Sequence, residues 1–369
     1  MGIDELYPPD RLIAAQRATA AAGLDALLLT PGSDLRYLTG YDAHAGERLT
    51  CLVLPADGEP TLIVPRLERP AAEAGSTTGV RIVDHPDGAD PYPLVVAALD
   101  GPPAAVGLAD RMWAEQVLAL RAALPGATQR LAGEVLRELR IRKSPAEIAA
   151  LADAGAAIDE VHLRMGEWLR PGRTEAEVAA DIAGAIRAAG HVSVDFVIVA
   201  AGPNGASPHH GTSDRPIGVG EPVVVDIGGT MASGYRSDCT RTYVAGAPAP
   251  ADFLDYYEVL RDAQRAAVAA VRPGITGEQA DAAAREPIAA AGHGPAFLHR
   301  TGHGIGLDGH EEPYLVAGND RPIEAGMAFS IEPGIYLAGR HGARIEDIVV
   351  CTTDGVQRLN TTPTELIAL

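Results

Sequence analysis

Apolar residues recur along this chain with two periods, one near 3.6 and one near 2, and the changes between them mark out helices and strands. Asp10 stands where a helix cap would, and the spacing after it predicts a helix running to Gly23. DALLLT, CLVLP and TLIVP are short apolar runs bounded by turn residues, with ADGEP between the last two, and read as buried strands. A loop over 100–107, a strand at AVGLA and a helix over 111–124 that ends at Pro125-Gly126 complete a small mixed α/β domain. Ser144, Pro145 and Glu147 then supply a cap, a first-turn proline and a capping-box acid, so a new long helix starts near 145. Basic residues between 132 and 144 separate the two apolar-periodic regions, and we divide the chain into domains at 1–138 and 139–369.

Within the second domain, Thr174 with Glu177 opens a helix to Gly190, and VDFVIVAAG and EPVVVDIGG follow as strands. Another helical stretch, ADFLDYYEVLRDAQRAAVAAV, precedes a helix opened by Thr276 with Gln279. MAFSIEPGIY and RIEDIVVCTT close the domain as strands. The order helices, strands, helices, strands points to two similar halves, although no repeat is visible as identical residues.

Composition narrows what such a chain can do. Its 369 residues are 47% hydrophobic, enough for two domains with apolar cores. A formal charge of −19 repels a nucleic-acid backbone or an anionic membrane, so neither is expected as a partner, and small peptides and cations are better ligands. The N-terminus lacks the basic start and apolar run of a signal peptide, and no stretch is apolar for about 18 residues. Three scattered cysteines, Cys51, Cys239 and Cys351, make neither a disulfide framework nor a cysteine zinc site. The expectation is a cytoplasmic protein.

The chemistry lies in acids placed where acids are expensive. Asp226 ends the apolar run VVVDIGG, and Asp238 lies where strand character resumes after a glycine-containing turn. Two acids so placed can face each other across a hairpin, and a buried pair needs a shared proton or a cation to offset repulsion. Glu332 in FSIEPGIY and Glu346 in ARIEDIVV repeat the pattern, each within an otherwise apolar run. HRTGHGIGLDGHEEP adds His299, His303 and His310, with Gly302, Gly304 and Gly306 expected to let backbone approach a ligand. His209 and His210 follow Pro208 in a turn-rich loop. Four carboxylates with one imidazole make a hard, oxygen-rich cage for two ions, favouring Mn²⁺, Co²⁺, Fe²⁺ or Mg²⁺ over a structural Zn²⁺, and hydrolysis is the natural use of such a pair.

The order Pro208-His209, VVVDIGG, SDCTRT, TGHGIGLDGHE, FSIEPGIY and RIED resembles the pita-bread metallopeptidases, the group containing Xaa-Pro dipeptidase (prolidase), aminopeptidase P and methionine aminopeptidase. The fold class this implies is α/β plus α+β: a small N-terminal mixed α/β domain (creatinase N-terminal-like), then a C-terminal pita-bread domain of two pseudo-symmetric halves. The resemblance implies two divalent ions, Mn or Co, held by Asp226, Asp238, His303, Glu332 and Glu346, with Glu332 also managing a proton. It implies His310 at the developing oxyanion, His209 at the amide or tetrahedral intermediate, and Arg344 supporting the cluster from behind. RYLTGY and GERLTCLVLP resemble segments of the leading domain found in the proline-directed branch, so hydrolysis between an N-terminal residue and proline is expected, in a homodimer.

Two departures stand out. The gap from Asp226 to Asp238 is one residue longer than the resemblance leads us to expect, which suggests a longer turn rather than a lost ligand. Where prolidases often carry an arginine after the HExP motif to clamp a dipeptide's carboxylate, this chain has Tyr314, which we place in the substrate pocket. Aminopeptidase P acting on longer peptides is therefore the near alternative, and an ectoine-hydrolase-like C–N hydrolase a more distant one. A noncatalytic module would have lost ligands, and this chain keeps all five.

Overall fold

A computed structural model describes residues 3–75 and 78–369. The chain divides into two compact units, Met1–Arg140 and Ile141–Leu369. Among the described residues no helix is long and apolar enough to cross a membrane.

The first unit is built on six strands, β1 (Ala26–Leu29), β2 (Cys51–Pro55), β3 (Thr61–Pro65), β4 (Arg81–His85), β5 (Ala105–Leu108) and β6 (Thr128–Leu131), in the order β4-β3-β2-β1-β5-β6. The pairs β1–β2 and β2–β3 are antiparallel and the outer three parallel. Of the four runs read as strands from sequence, DALLLT, CLVLP and TLIVP form β1, β2 and β3, and every residue of those three strands is buried. β4 (RIVDH) and β6 (TQRL) are the two edges; their mixed polarity gives no apolar signal, which is why sequence reasoning passes over them. Helix Asp10–Ala21 starts at Asp10, but Pro9 holds the cap position and Asp10 makes no capping bond. With Pro9 fixing φ just ahead of the helix, the entry needs no side-chain cap.

The second unit carries two helix pairs, each followed by strands that pair antiparallel except for the last, β17. Helices Pro145–Leu163 and Glu175–Ala188 precede β7 (His191–Ala201), β8 (Glu221–Met231) and β9 (Arg236–Ala245). Helices Ala251–Ala270 and Gly277–Ala290 precede β10 (Gly302–Gly304), β11 (Glu311–Leu315), β12 (Ala328–Ile331), β13 (Gly334–Leu337), β14 (His341–Arg344), β15 (Asp347–Thr352), β16 (Gly355–Arg358) and β17 (Ile367–Ala368). Ser144, Thr174 and Thr276 each form the full reciprocal capping box with Glu147, Glu177 and Gln279, so the three helix starts lie where the sequence sets them. The first half, joined by β17 from the end of the chain, forms a sheet ordered β17-β9-β8-β7 and the second a sheet ordered β11-β10-β12-β15-β16, with β13 and β14 as a separate ribbon. Each half has its own core. Ile158, Ile182, Val199, Val225 and Ile227 pack in the first, and Phe253, Leu260, Ile288, Phe329 and Val349 in the second.

MAFSIEPGIY and RIEDIVV are not continuous strands. Glu332 falls in the break between β12 and β13, and Glu346 in the break between β14 and β15. Both acids thus sit where the chain leaves the large sheet or rejoins it, and side chains there are free of the alternating pleat.

Candidate metal centre

Asp226 and Asp238 come from the β8–β9 hairpin, but not as a directly opposed pair. Asp226 faces Thr240 and Asp238 faces Gly228, so the two acids are diagonal neighbours on one face. A four-residue turn, 232–235, with Gly234 at φ 85°, joins the strands. The second half is tied against this face: the Glu346 N–H donates to Thr240 O at 3.1 Å, and the Arg344 N–H to Thr242 Oγ1 at 3.1 Å. His303 enters from β10. Gly302 and Gly304 on either side serve strand packing rather than ligand approach, since a Cβ would lie 1.9 Å from Ser330 O at the first and 2.2 Å from Glu312 O at the second.

The five expected ligands converge. Asp226, Asp238 and Glu346 bring one oxygen each within 4.8 Å of one another, and a ring nitrogen of His303 with one oxygen each of Glu332 and Glu346 does the same. His303 Nε2 lies 3.3 Å from Glu332 Oε1 and 3.7 Å from Asp238 Oδ2. Its Nδ1–H donates to Gly304 O at 3.1 Å, which leaves the Nε2 lone pair aimed at the acids. Ser330 Oγ accepts from the His303 N–H at 3.0 Å and donates to Glu332 Oε1 at 3.2 Å, so one hydroxyl orients two ligands.

Behind the acids Arg344 is fully committed. Its Nη2 donates to Asp226 Oδ2 at 2.6 Å, Nη1 to the Tyr336 hydroxyl at 2.7 Å, and Nε to Thr240 Oγ1 at 3.1 Å. Thr240 Oγ1 in turn donates to Glu346 Oε2 at 2.7 Å. The Tyr336 hydroxyl also meets His299 Nε2 at 2.8 Å, and His299 Nδ1–H donates to Arg300 O at 2.7 Å. His299 is thus a support, not a ligand.

One arginine cannot neutralise four packed carboxylates. Burial, then the charges of Asp226 and Glu332, raises the Asp238 carboxyl. Burial and the Asp238 charge raise Glu346 well above the usual range, and burial brings Glu332 up to about 7 against the pull of Arg344. His303 is held down to about 3 by burial and by His310, whose ring stacks on it at 3.7 Å. Two carboxylate oxygens, Asp226 Oδ1 and Glu346 Oε1, are buried with no hydrogen-bond partner at all. Orphaned oxygens of this kind cost several kcal/mol unless a cation takes them, so the donor set fits divalent ions.

These residues line a cavity of about 370 Å³, shared with His209, His299, Arg300 and His310 and walled by Phe196 and Ile198 of β7. Tyr314 is not among the lining residues; its ring lies under Arg300, 4.5 Å from the guanidinium carbon. Sequence reasoning missed Arg300, Tyr336, Thr240 and Ser330. A signal existed for two of them: Thr240 and Ser330 lie two residues from Asp238 and Glu332, on the same side of an extended chain. It also missed what holds His209. Glu175, fully buried, accepts from the Ala201 N–H, Asn204 Nδ2 and Ser213 Oγ and lies 2.8 Å from His210 Nε2, pinning the loop beside the cavity.

Residues 149–353 match metallopeptidase family M24, and residues 11–142 match the creatinase/prolidase N-terminal domain. The chain is 57% identical over 361 residues to the probable dipeptidase PepE of Mycobacterium tuberculosis, covering 97% of this chain and 96% of that one. It is 37% identical over 341 residues to the Xaa-Pro dipeptidase of Lactobacillus helveticus, covering 90% and 91%. The crystal structure of dipeptidase PepE from Mycobacterium ulcerans superimposes with a TM-score of 0.92 at 58% identity, covering 99% of this chain and 98% of that one.

Proposed function

Because the chain belongs to metallopeptidase family M24, with a creatinase/prolidase N-terminal domain ahead of the catalytic one, we propose that it is an Xaa-Pro dipeptidase working with two divalent ions, Mn²⁺ or Co²⁺. The observation that carries this reading is the pair of orphaned, buried carboxylate oxygens within a five-ligand cluster. Asp226, Asp238, His303, Glu332 and Glu346 would hold the ions, and when bound the ions supply Lewis acidity and a lowered water pKa.

The protein's own groups do the rest. Glu332, whose carboxyl burial brings up to about 7 before any ion is bound, is the group we assign to take a proton and return it. The proline nitrogen carries no N–H and must gain a proton to leave, and Glu332 is the group in the cavity suited to deliver it. Arg300 Nη2 donates to His310 Nδ1 at 3.3 Å, so the neutral imidazole keeps its proton on Nε2 and can donate to a developing oxyanion. His209 contacts the substrate from the loop pinned by Glu175. We place the catalytic domain at 139–369, the enzyme in the cytoplasm, in keeping with its three free cysteines, and the working form as a homodimer, as the resemblance to prolidases implies.

A panel of Xaa-Pro dipeptides and Xaa-Pro-containing tripeptides, assayed with Mn²⁺, Co²⁺, Mg²⁺ and Zn²⁺, tests the reading. Dipeptides should be cleaved fastest, and Glu332→Gln should lower kcat by about 10²–10⁴ while the melting curve stays cooperative. Cleavage of tripeptides alone would reassign the enzyme to aminopeptidase P, and no cleavage with any ion would remove the peptidase assignment.

A further inference from the structure

Of the 30 lysines and arginines in this chain, 29 are arginines, and the single lysine is Lys143. A chain that meets every other need for a fixed cation with arginine keeps a lysine where the larger planar fork does not serve. Lys143 lies between the bridge Arg142–Met327 and the capping box that opens helix Pro145–Leu163, and its side chain is 1% exposed. Its backbone is fixed on both sides: the Lys143 N–H donates to Gly326 O at 2.8 Å, and Ser144 caps the helix behind it. From this anchored position Nζ donates to Glu311 Oε1 at 2.7 Å and lies 3.5 Å from Ile141 O. A lysine is rarely buried so completely unless it is paired, and the pair here reaches the loop that carries His310.

Glu311, the first residue of β11, turns its carboxylate back into the loop that joins β10 to β11. Oε2 accepts from the Asp308 N–H at 3.4 Å, and Oε1 presses so close to Gly306 that a Cβ there would lie 2.8 Å from it. The Gly306 N–H donates to Asp308 O at 3.0 Å, so the loop is wound around one carboxylate. Its far side is held by β9, where the Arg236 N–H donates to Gly306 O at 3.1 Å and Nε to Leu307 O at 2.9 Å. His310 is bonded directly to Glu311, and its ring stacks at 3.7 Å on His303. We propose that Lys143 is a positioning residue: through Glu311 it fixes the 305–310 loop and holds His310 where it can donate to the developing oxyanion. This rests on the peptidase reading of His310 given above. Without the ammonium the Glu311 carboxylate is buried with no counter-charge and moves toward water, unwinding the turn that ends in His310. The metal ligands keep supports of their own in Arg344, Thr240 and Ser330, so the loss falls on the chemical step rather than on ion binding.

The test follows Ala-Pro cleavage by the Mn²⁺-loaded enzyme in wild type, Lys143→Met, His310→Ala and the double variant Lys143→Met/His310→Ala. Lys143→Met should lower kcat by about 10–100-fold, as displacement of an oxyanion donor does, with KM within about threefold of wild type. In the His310→Ala background the same substitution should cost less than about threefold, because the group it positions is gone. An equal loss in both backgrounds would mean that Lys143 supports the fold in general, and overturns the proposal. Lys143→Met/Glu311→Gln removes the uncompensated charge while keeping an oxygen for the Asp308 N–H, and should restore kcat to within about fivefold of wild type. A kcat no higher than that of Lys143→Met would show that Lys143 does not act through Glu311, and overturns it too. Hydrogen exchange gives a readout that needs no activity: in Lys143→Met the Gly306 and Asp308 amides should exchange at least about tenfold faster than in wild type, while those of Val225 and Ile227 in β8 stay unchanged. Unchanged exchange at both loop amides rules out the role of Lys143 whatever the enzyme cleaves. A wild-type enzyme inert toward every Xaa-Pro peptide overturns the peptidase reading, and exchange then still reports whether Lys143 holds the loop.

Discussion

Loading the ion-free protein with Mn²⁺ should expel protons, and three carboxyls set how many. Asp238 and Glu346 are raised by burial and by each other's neighbourhood of acids, and Glu332 sits at about 7. All must be ionised to ligate. His303, held at about 3, is already neutral and gives up nothing. At pH 7 Glu332 alone contributes about half a proton, and Asp238 and Glu346, both raised above the usual carboxylate range, add to it. The sign of the linked stability change follows. A carboxyl whose folded value lies above its unfolded value stabilises the ion-free fold below the unfolded pKa, and that contribution is lost as pH rises through the folded one. For Glu332 the step from 4.5 to about 7 is worth on the order of 3 kcal/mol. The ion removes this penalty, so the gap in Tm between loaded and ion-free protein should widen from pH 5.5 to 7.5. Proton release is read calorimetrically, as the slope of the observed enthalpy against buffer ionisation enthalpy, and raising the pH from 7 to 8.5 should lower it. A release near zero at pH 7 would refute the reasoning, because it would mean the acids are ionised, hence hydrated and apart, before any ion arrives.

Two other perturbations separate the parts of the site from the frame that carries it. Arg344→Lys keeps the charge but cannot reach Asp226, Tyr336 and Thr240 together, so ion affinity, measured by chelator competition, should fall by about 10–100-fold; unchanged affinity would show that the fork is dispensable. His162, buried between the Tyr243 hydroxyl at 2.9 Å and Cys239 O at 3.1 Å, is depressed by burial to about 3, so the fold favours its neutral form above 6.5 and loses that contribution as pH falls from 6.5 toward 3. Denaturant unfolding should show a loss of about 1.4 kcal/mol per pH unit from this residue, removed in His162→Gln, and an identical pH slope in the variant would contradict it.

How much of this was legible in the sequence depended on whether a residue's task was written in its neighbours. Asp226 and Asp238 declare themselves because an acid inside VVVDIGG has no cheap place to go, and Ser144, Thr174 and Thr276 because a capping box is complete within four residues. The central strands β1, β2 and β3 were legible for the same reason, and the edge strands β4 and β6 were not, since a polar edge looks like a loop. Pairing across the hairpin was not legible either: acids expected to oppose each other are diagonal, because the register is set by a turn whose geometry no apolar pattern encodes. Arg300 and Tyr314 show the limit most clearly. Read along the chain, Tyr314 is a missing arginine; folded, β10 pairs with β11, placing His303 opposite Tyr314, and Arg300 just ahead of β10 comes to lie over that ring. A cation thus reaches the cavity from a position fourteen residues earlier, and only the strand pairing reveals it.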